Sequence, residues 1–225
     1  MATLPRTDED IQLDVLAELE WDTRVGPNEI GVIVKDGVVT LTGWVDSYTK
    51  KLAAREAALR VDGVKAVADE IEVRLPGVAA RTDADIAAAA RQALERDADL
   101  PVEKIDITVS KGVVTLQGEV DRWYQVEDAE RVVGRLKGVR KVINMLMIRP
   151  QPRPSPAQLK QEIENALVRS AEIDAHRIQV DVREDGTVIL TGTVRSWAER
   201  EEAERVAWRG AGVTKVENQI TIKPD

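Results

Sequence analysis

The 225-residue chain is 43% hydrophobic and 32% charged, with a net charge of −8, one histidine and no cysteine. That composition suits a globular protein and excludes disulfides, thiolate nucleophiles and zinc–thiolate sites. The acidic balance disfavours nucleic acid, whose phosphates it repels, and no apolar run approaches the ~18 residues of a transmembrane segment.

The first residues, MATLPRTDEDIQ, lack the basic start, apolar core and small-residue cleavage site of a secretory signal. A cytoplasmic location is expected for the chain as written, and a periplasmic one if it is a trimmed mature form. Thr7 then caps a helix whose first turn carries Asp8, Glu9 and Asp10, read as charges favouring the positive end of the helix dipole. Ile11, Val15 and Leu19 recur every fourth residue, one apolar stripe. Ile30, Val32 and Val34 alternate, which predicts a half-buried strand. Asp36-Gly37 predicts a hairpin turn, and a second strand follows with Val39, Leu41, Gly43 and Val45 on one face. Gly43 has no side chain, so something approaches its backbone. The next helix, lined by Ala54, Ala57 and Ala58, is the expected neighbour. Gly63 is read as its C-cap, and a last strand carries Val67, Ile71 and Val73.

The same phrase returns twice. Gly37, Gly112 and Gly186 are spaced by 75 and 74 residues, and Gly43, Gly118, Gly192 and Gly63, Gly138, Gly212 keep those steps. Three repeats are expected at 7–75, 81–149 and 155–225, joined by "PGVAA" and "PQPRP". Thr82 and Ser155 repeat the cap; Lys111-Gly112 and Asp185-Gly186 repeat the turn, the former with weaker turn chemistry. The predicted fold is α+β: three tandem αββαβ modules, each a three-stranded mixed sheet with both helices on one face. A unit of about 70 residues supplies a marginal core, so the repeats are expected to pack on one another or to form a homo-oligomer.

The run Gly37-Val38-Val39-Thr40-Leu41-Thr42-Gly43-Trp44-Val45, followed by Gly63-Val64 and Val67, resembles the BON domain of OsmY-like bacterial proteins. The run recurs at 112–120 with Gly138-Val139 and at 186–194 with Gly212-Val213. An asparagine common in the family's last strand stands here as Asn144 and Asn218, with Asp69 in the first repeat. The resemblance implies a non-enzymatic binding or scaffold role in osmotic or general stress and envelope homeostasis. It implies phospholipid as a partner, or in the alternative a potassium-responsive sensor.

Candidate site residues are few. His176 lies in an unshared turn with no cysteine, second histidine or tight carboxylate set, so no catalytic group, metal or cofactor is expected. Tyr48, Trp123 and Trp197 are equivalent, at the start of each second helix. They are read first as caps on the helix–sheet seam and otherwise as anchors to a membrane interface or partner. Trp44 sits beside Val38, Thr40 and Thr42 on the opposite sheet face, a docking surface for a neighbouring copy. Counting Lys and Arg against Asp and Glu gives −7, 0 and −3 for the three repeats. The middle repeat clusters Arg135, Lys137, Arg140 and Lys141, which with Trp123 form the expected contact to an anionic phospholipid. Tyr48 and Trp197, with Trp44, are the expected inter-domain or partner contacts.

Overall fold

A computed structural model describes residues 6–25, 30–77, 81–149, 154–170 and 173–223. Most of the two proline-bearing linkers falls outside the described residues. The first repeat contains α1 (Asp8–Trp21), β1 (Ile30–Lys35), β2 (Val38–Val45), α2 (Tyr48–Arg60), β3 (Ala66–Asp69) and β4 (Glu72–Val73). The second contains α3 (Asp83–Glu95), β5 (Ile105–Ser110), β6 (Val113–Val120), α4 (Trp123–Gly134) and β7 (Lys141–Ile148). The third contains α5 (Pro156–Arg169), β8 (Ile178–Val182), β9 (Thr187–Val194), α6 (Trp197–Trp208) and β10 (Lys215–Ile222).

Within each repeat the first two strands are antiparallel and the last runs parallel to the second. β3 and β4 continue one line in the first sheet, both paired to β2 in constant register. The fold is therefore α+β in three repeated mixed-sheet modules, because a helix must carry the chain back before a parallel strand can form. Thr7 and Thr82 close capping boxes with Asp10 and Asp85, and the Ser155 hydroxyl accepts from the Gln158 N–H. The stripes Ile11/Val15/Leu19, Ile86/Ala90/Leu94 and Leu159/Ile163/Leu167 are buried, each against its own sheet. Burying each full-sized side chain of these stripes is worth about 1.5–3 kcal/mol.

Three local readings need correction. The close approach at the second glycine comes from the partner strand, not from the helix. A Cβ on Gly118 would overlap the Lys104 carbonyl oxygen and lie 3.0 Å from its carbon, and one on Gly192 would overlap the Arg177 carbonyl oxygen and lie 3.1 Å from its carbon. Both glycines sit opposite the first residue of the preceding strand, where a 3₁₀ turn enters it, with φ of 131° and 130°. Gly63, Gly138 and Gly212 are not C-caps: Val61, Arg135 and Arg209 cap the helices, and the glycines lie in the turns beyond. Ile11 and Ile86 of the first helices rest on Gly63 and Gly138.

The third correction concerns the hairpin turns. Lys111-Gly112 adopts the same doubly left-handed turn as Asp36-Gly37, whereas Asp185 does not. The weaker pair is held from outside. The Asp83 carboxylate accepts from the Lys111 and Gly112 N–H groups at 2.8 and 2.9 Å, and Asp8 does the same for Asp36 and Gly37 at 2.7 and 2.9 Å. In the third repeat Pro156 holds the equivalent helix position, and Asp185 accepts from the Thr187 N–H within a longer turn.

The asparagine of the last strand ties sheet to helix. Asn144 Nδ2 donates to the Val126 carbonyl at 2.8 Å, and Asn218 Nδ2 donates to Arg200 at 3.2 Å. Asp69 cannot donate; instead Lys51, at the helix position equivalent to Val126, reaches Asp69 at 3.3 Å and donates to the Ile71 carbonyl at 2.6 Å.

The chain exposes 13067 Å², against about 10,200 Å² expected of one globule of this mass and about 13,700 Å² of three separate ones. The repeats therefore meet over narrow surfaces.

Candidate functional site

Those narrow surfaces are built on the second helices. Tyr48 opens α2, yet its ring lies in the second repeat's core, 6% exposed, against Gly134 and Val142. Burial, and then the Glu130 charge, push its hydroxyl above the usual phenol range, while the Val142 N–H directed at its oxygen opposes the rise. Trp123 opens α4 and stacks on Trp208 at the end of α6, ring centroids 5.9 Å apart and planes 6° from parallel. Trp197 opens α6 and packs against the first repeat's core, with the Arg200 guanidinium 5.0 Å above its ring. Its indole Nε1 is buried without a hydrogen-bond partner among the described residues. Tyr48 and Trp197 thus reach the core of a neighbouring repeat, as inter-domain contacts would, while Trp123 stays against its own repeat's core and meets the third repeat through Trp208, which packs on the second and third cores alike.

Two clefts flank α2. One, of about 690 Å³, has Tyr48, Leu52, Ile71 and Val73 as apolar lining and takes Lys51, Arg55 and Arg74 from the first repeat and Arg140 and Lys141 from the second. Its acids are Asp69 and Glu72, so five cations face two anions. Lys51 pairs with Asp69 and Arg74 with Glu72 at 2.9 Å. Arg55, Arg140 and Lys141 make no ion pair among the described residues. The other cleft, of about 790 Å³, carries Arg135 between α2 and α4, where Arg24, Arg55, Arg131 and Arg135 are matched by Glu56, Glu127, Asp128 and Glu130. It is electrostatically balanced.

The five residues expected to meet lipid together are therefore dispersed. α4 has 12 residues, about 18 Å of helix, with Trp123 at its start and Arg135 just past its end. Arg140 and Lys141 turn into the positive cleft, and Lys137 is exposed in the turn after α4. Trp44 stays on the open sheet face, 37% exposed, with Arg74 5.8 Å above its ring. His176 is exposed in a 3₁₀ turn. No group of three or more metal-ligating side chains occurs among the described residues, and no helix there is long and apolar enough to cross a membrane. Sequence reasoning missed Gly134, Trp208, Lys51, Arg55 and Arg74. The spacing of 74 between positions 134 and 208 was a usable signal for the first two; nothing local marked the cations.

Comparison with known proteins accords with this architecture. The osmotically-inducible protein Y of Escherichia coli (strain K12) is 29% identical over 147 residues, covering 63% of this chain and 73% of that protein. A protein encoded in the gshII 5′ region of Anaplasma centrale is 32% identical over 127 residues, 54% of this chain and 83% of that one. The C-terminal domain of CdsD, a structural protein of the Chlamydia trachomatis type III secretion system, aligns over 97% of this chain and 100% of its own at 15% identity, but its TM-score of 0.27 supports no comparison of structure. The BON domain model matches residues 7–74, 82–150 and 155–224. With all three repeats matched, the chain belongs to the BON domain family.

Proposed function

We propose that the chain is a non-enzymatic binding protein of osmotic or general stress, and that its positive cleft takes an anionic phospholipid headgroup. The observation that carries this reading is the convergence of Arg55, Arg140 and Lys141, unpaired among the described residues, in a chain of net charge −8. Cations without internal partners attract a phosphate most strongly where apolar walls limit screening. Leu52, Ile71 and Val73 supply those walls and suit the glycerol end of a lipid. The osmotic setting rests on the similarity to the osmotically-inducible protein.

Co-sedimentation with phosphatidylglycerol-containing vesicles at low salt tests the reading. A basic side chain near an anionic membrane contributes about 1 kcal/mol. Arg140→Glu with Lys141→Glu should therefore weaken binding about 30-fold or more, and salt should weaken it in the unaltered chain. Arg135→Glu should change it little. Absence of vesicle binding, or binding indifferent to the Arg140/Lys141 pair, refutes the reading.

A further inference from the structure

The three rings stand at one position used three times, and each touches another repeat. Tyr48, Trp123 and Trp197 each occupy the first position of a second helix, and their steps are 75 and 74 residues. The residues that receive them follow the same rule. Tyr48 rests on Gly134 and Trp123 stacks on Trp208, while Trp197 packs on the first repeat's core, in which Leu59 is the residue equivalent by register to Gly134 and Trp208. Positions 59, 134 and 208 are again 75 and 74 apart. Each repeat thus presents a ring at the head of its second helix and an equivalent position at the foot of it. The first repeat's ring enters the second repeat's core, the second and third repeats meet through the stacked indoles, and the third repeat's ring packs on the first repeat's core.

A head-to-tail contact that uses different patches on its two sides either continues as a filament or closes as a ring. We infer that the three repeats close into a ring of three, so that every self-association surface is filled from within the chain. The partner that fits an emptied seat is the matching repeat of a second copy. The seats are not interchangeable. Gly134 leaves space for a tyrosine ring, Trp208 offers a flat indole, and the first repeat offers an aliphatic core. That individuality sets the order of the repeats around the ring. This inference does not depend on the lipid reading.

The contact between the third and first repeats decides the matter, because those repeats are not adjacent in sequence. The chain has no cysteine, so introduced thiols are the only ones. Leu59→Cys with Trp197→Cys, treated with a short bismaleimide at high dilution, should give a linked monomer of faster mobility, as should Tyr48→Cys with Gly134→Cys. Linkage at 48/134 without linkage at 59/197 within one chain would overturn closure, as would linkage at 59/197 only between chains. Small-angle scattering of the unaltered chain is an independent measurement. Three touching units of ~70 residues give a radius of gyration of about 20 Å as a closed triangle and about 25 Å as a row. A value near the latter overturns the proposal. Trp197→Ser should move the radius toward the larger value, or produce dimers that dissociate on dilution, while Trp21→Ser, at a residue 81% exposed, should do neither.

Discussion

Replacing Gly118 by alanine places one methyl group where the backbone of the neighbouring strand already stands. The added carbon would overlap the Lys104 carbonyl oxygen and sit 3.3 Å from Ile105 Cα. No rotamer relieves this, since the obstructing atoms are main chain. The residue would also have to hold φ near 131°, a region nearly closed to side chains. Backbone strain costs about 1–3 kcal/mol, and parting the hairpin to admit the methyl costs about 1–3 kcal/mol more. The sum, about 4 kcal/mol, approaches the whole stability expected of a lone unit of this size, about 3–5 kcal/mol. Gly118→Ala should therefore unfold the second repeat or nearly so, while the first and third keep their structure. Denaturant titration resolved repeat by repeat, by backbone amide signals, is the appropriate assay, because three modules need not unfold as one two-state unit. Gly31→Ala is the control: its Cβ meets only the Thr42 hydroxyl, which can rotate away. A shift under about 1 kcal/mol for Gly118→Ala, or equal shifts for both variants, would refute the steric argument.

Asp83→Ala should release the Lys111-Gly112 turn, costing about 1.5–3 kcal/mol for charge-assisted hydrogen bonds. Hydrogen exchange should accelerate at those two amides first. Asn144→Asp should lose the donor to Val126 and destabilise the second repeat by about 1–2 kcal/mol. Adding Val126→Lys rebuilds the Lys51–Asp69 pair of the first repeat, and a double-mutant cycle should show favourable coupling. The Tyr48 hydroxyl is raised by burial and Glu130. Its neutral form is the one the seat accepts, so the stability it supports is whole below about pH 10, the unfolded value, and is lost as pH rises through the higher folded value. In a Tyr124→Phe background, absorbance of the remaining tyrosine should titrate above the ordinary phenol range, and Trp208-linked signals should be unaffected by that step.

The repeat, its strand and helix order and its buried stripes were legible in the chain because each depends on residues close in sequence. Period-two and period-four patterns name a face wherever the module ends up, and Gly37, Gly112 and Gly186 announce a turn by chemistry alone. What surrounds a glycine was not legible. Gly118 advertises a missing side chain, but only the strand register shows that the Lys104 carbonyl fills the space. Asp8 looked like a helix-end charge, since nothing local says that its carboxylate spans to a turn 28 residues away. The rings illustrate the division most sharply. Composition and spacing marked Tyr48, Trp123 and Trp197 as equivalent, yet a ring at the head of a helix suits its own sheet, a membrane or a neighbour equally well by sequence. The packing of one repeat against the next chose among these, and it also drew Arg55, Arg140 and Lys141 from two modules into one cleft. Local patterns encode each module because they act through the bonded chain. The contacts between modules act through space, and they exist only once three finished surfaces meet.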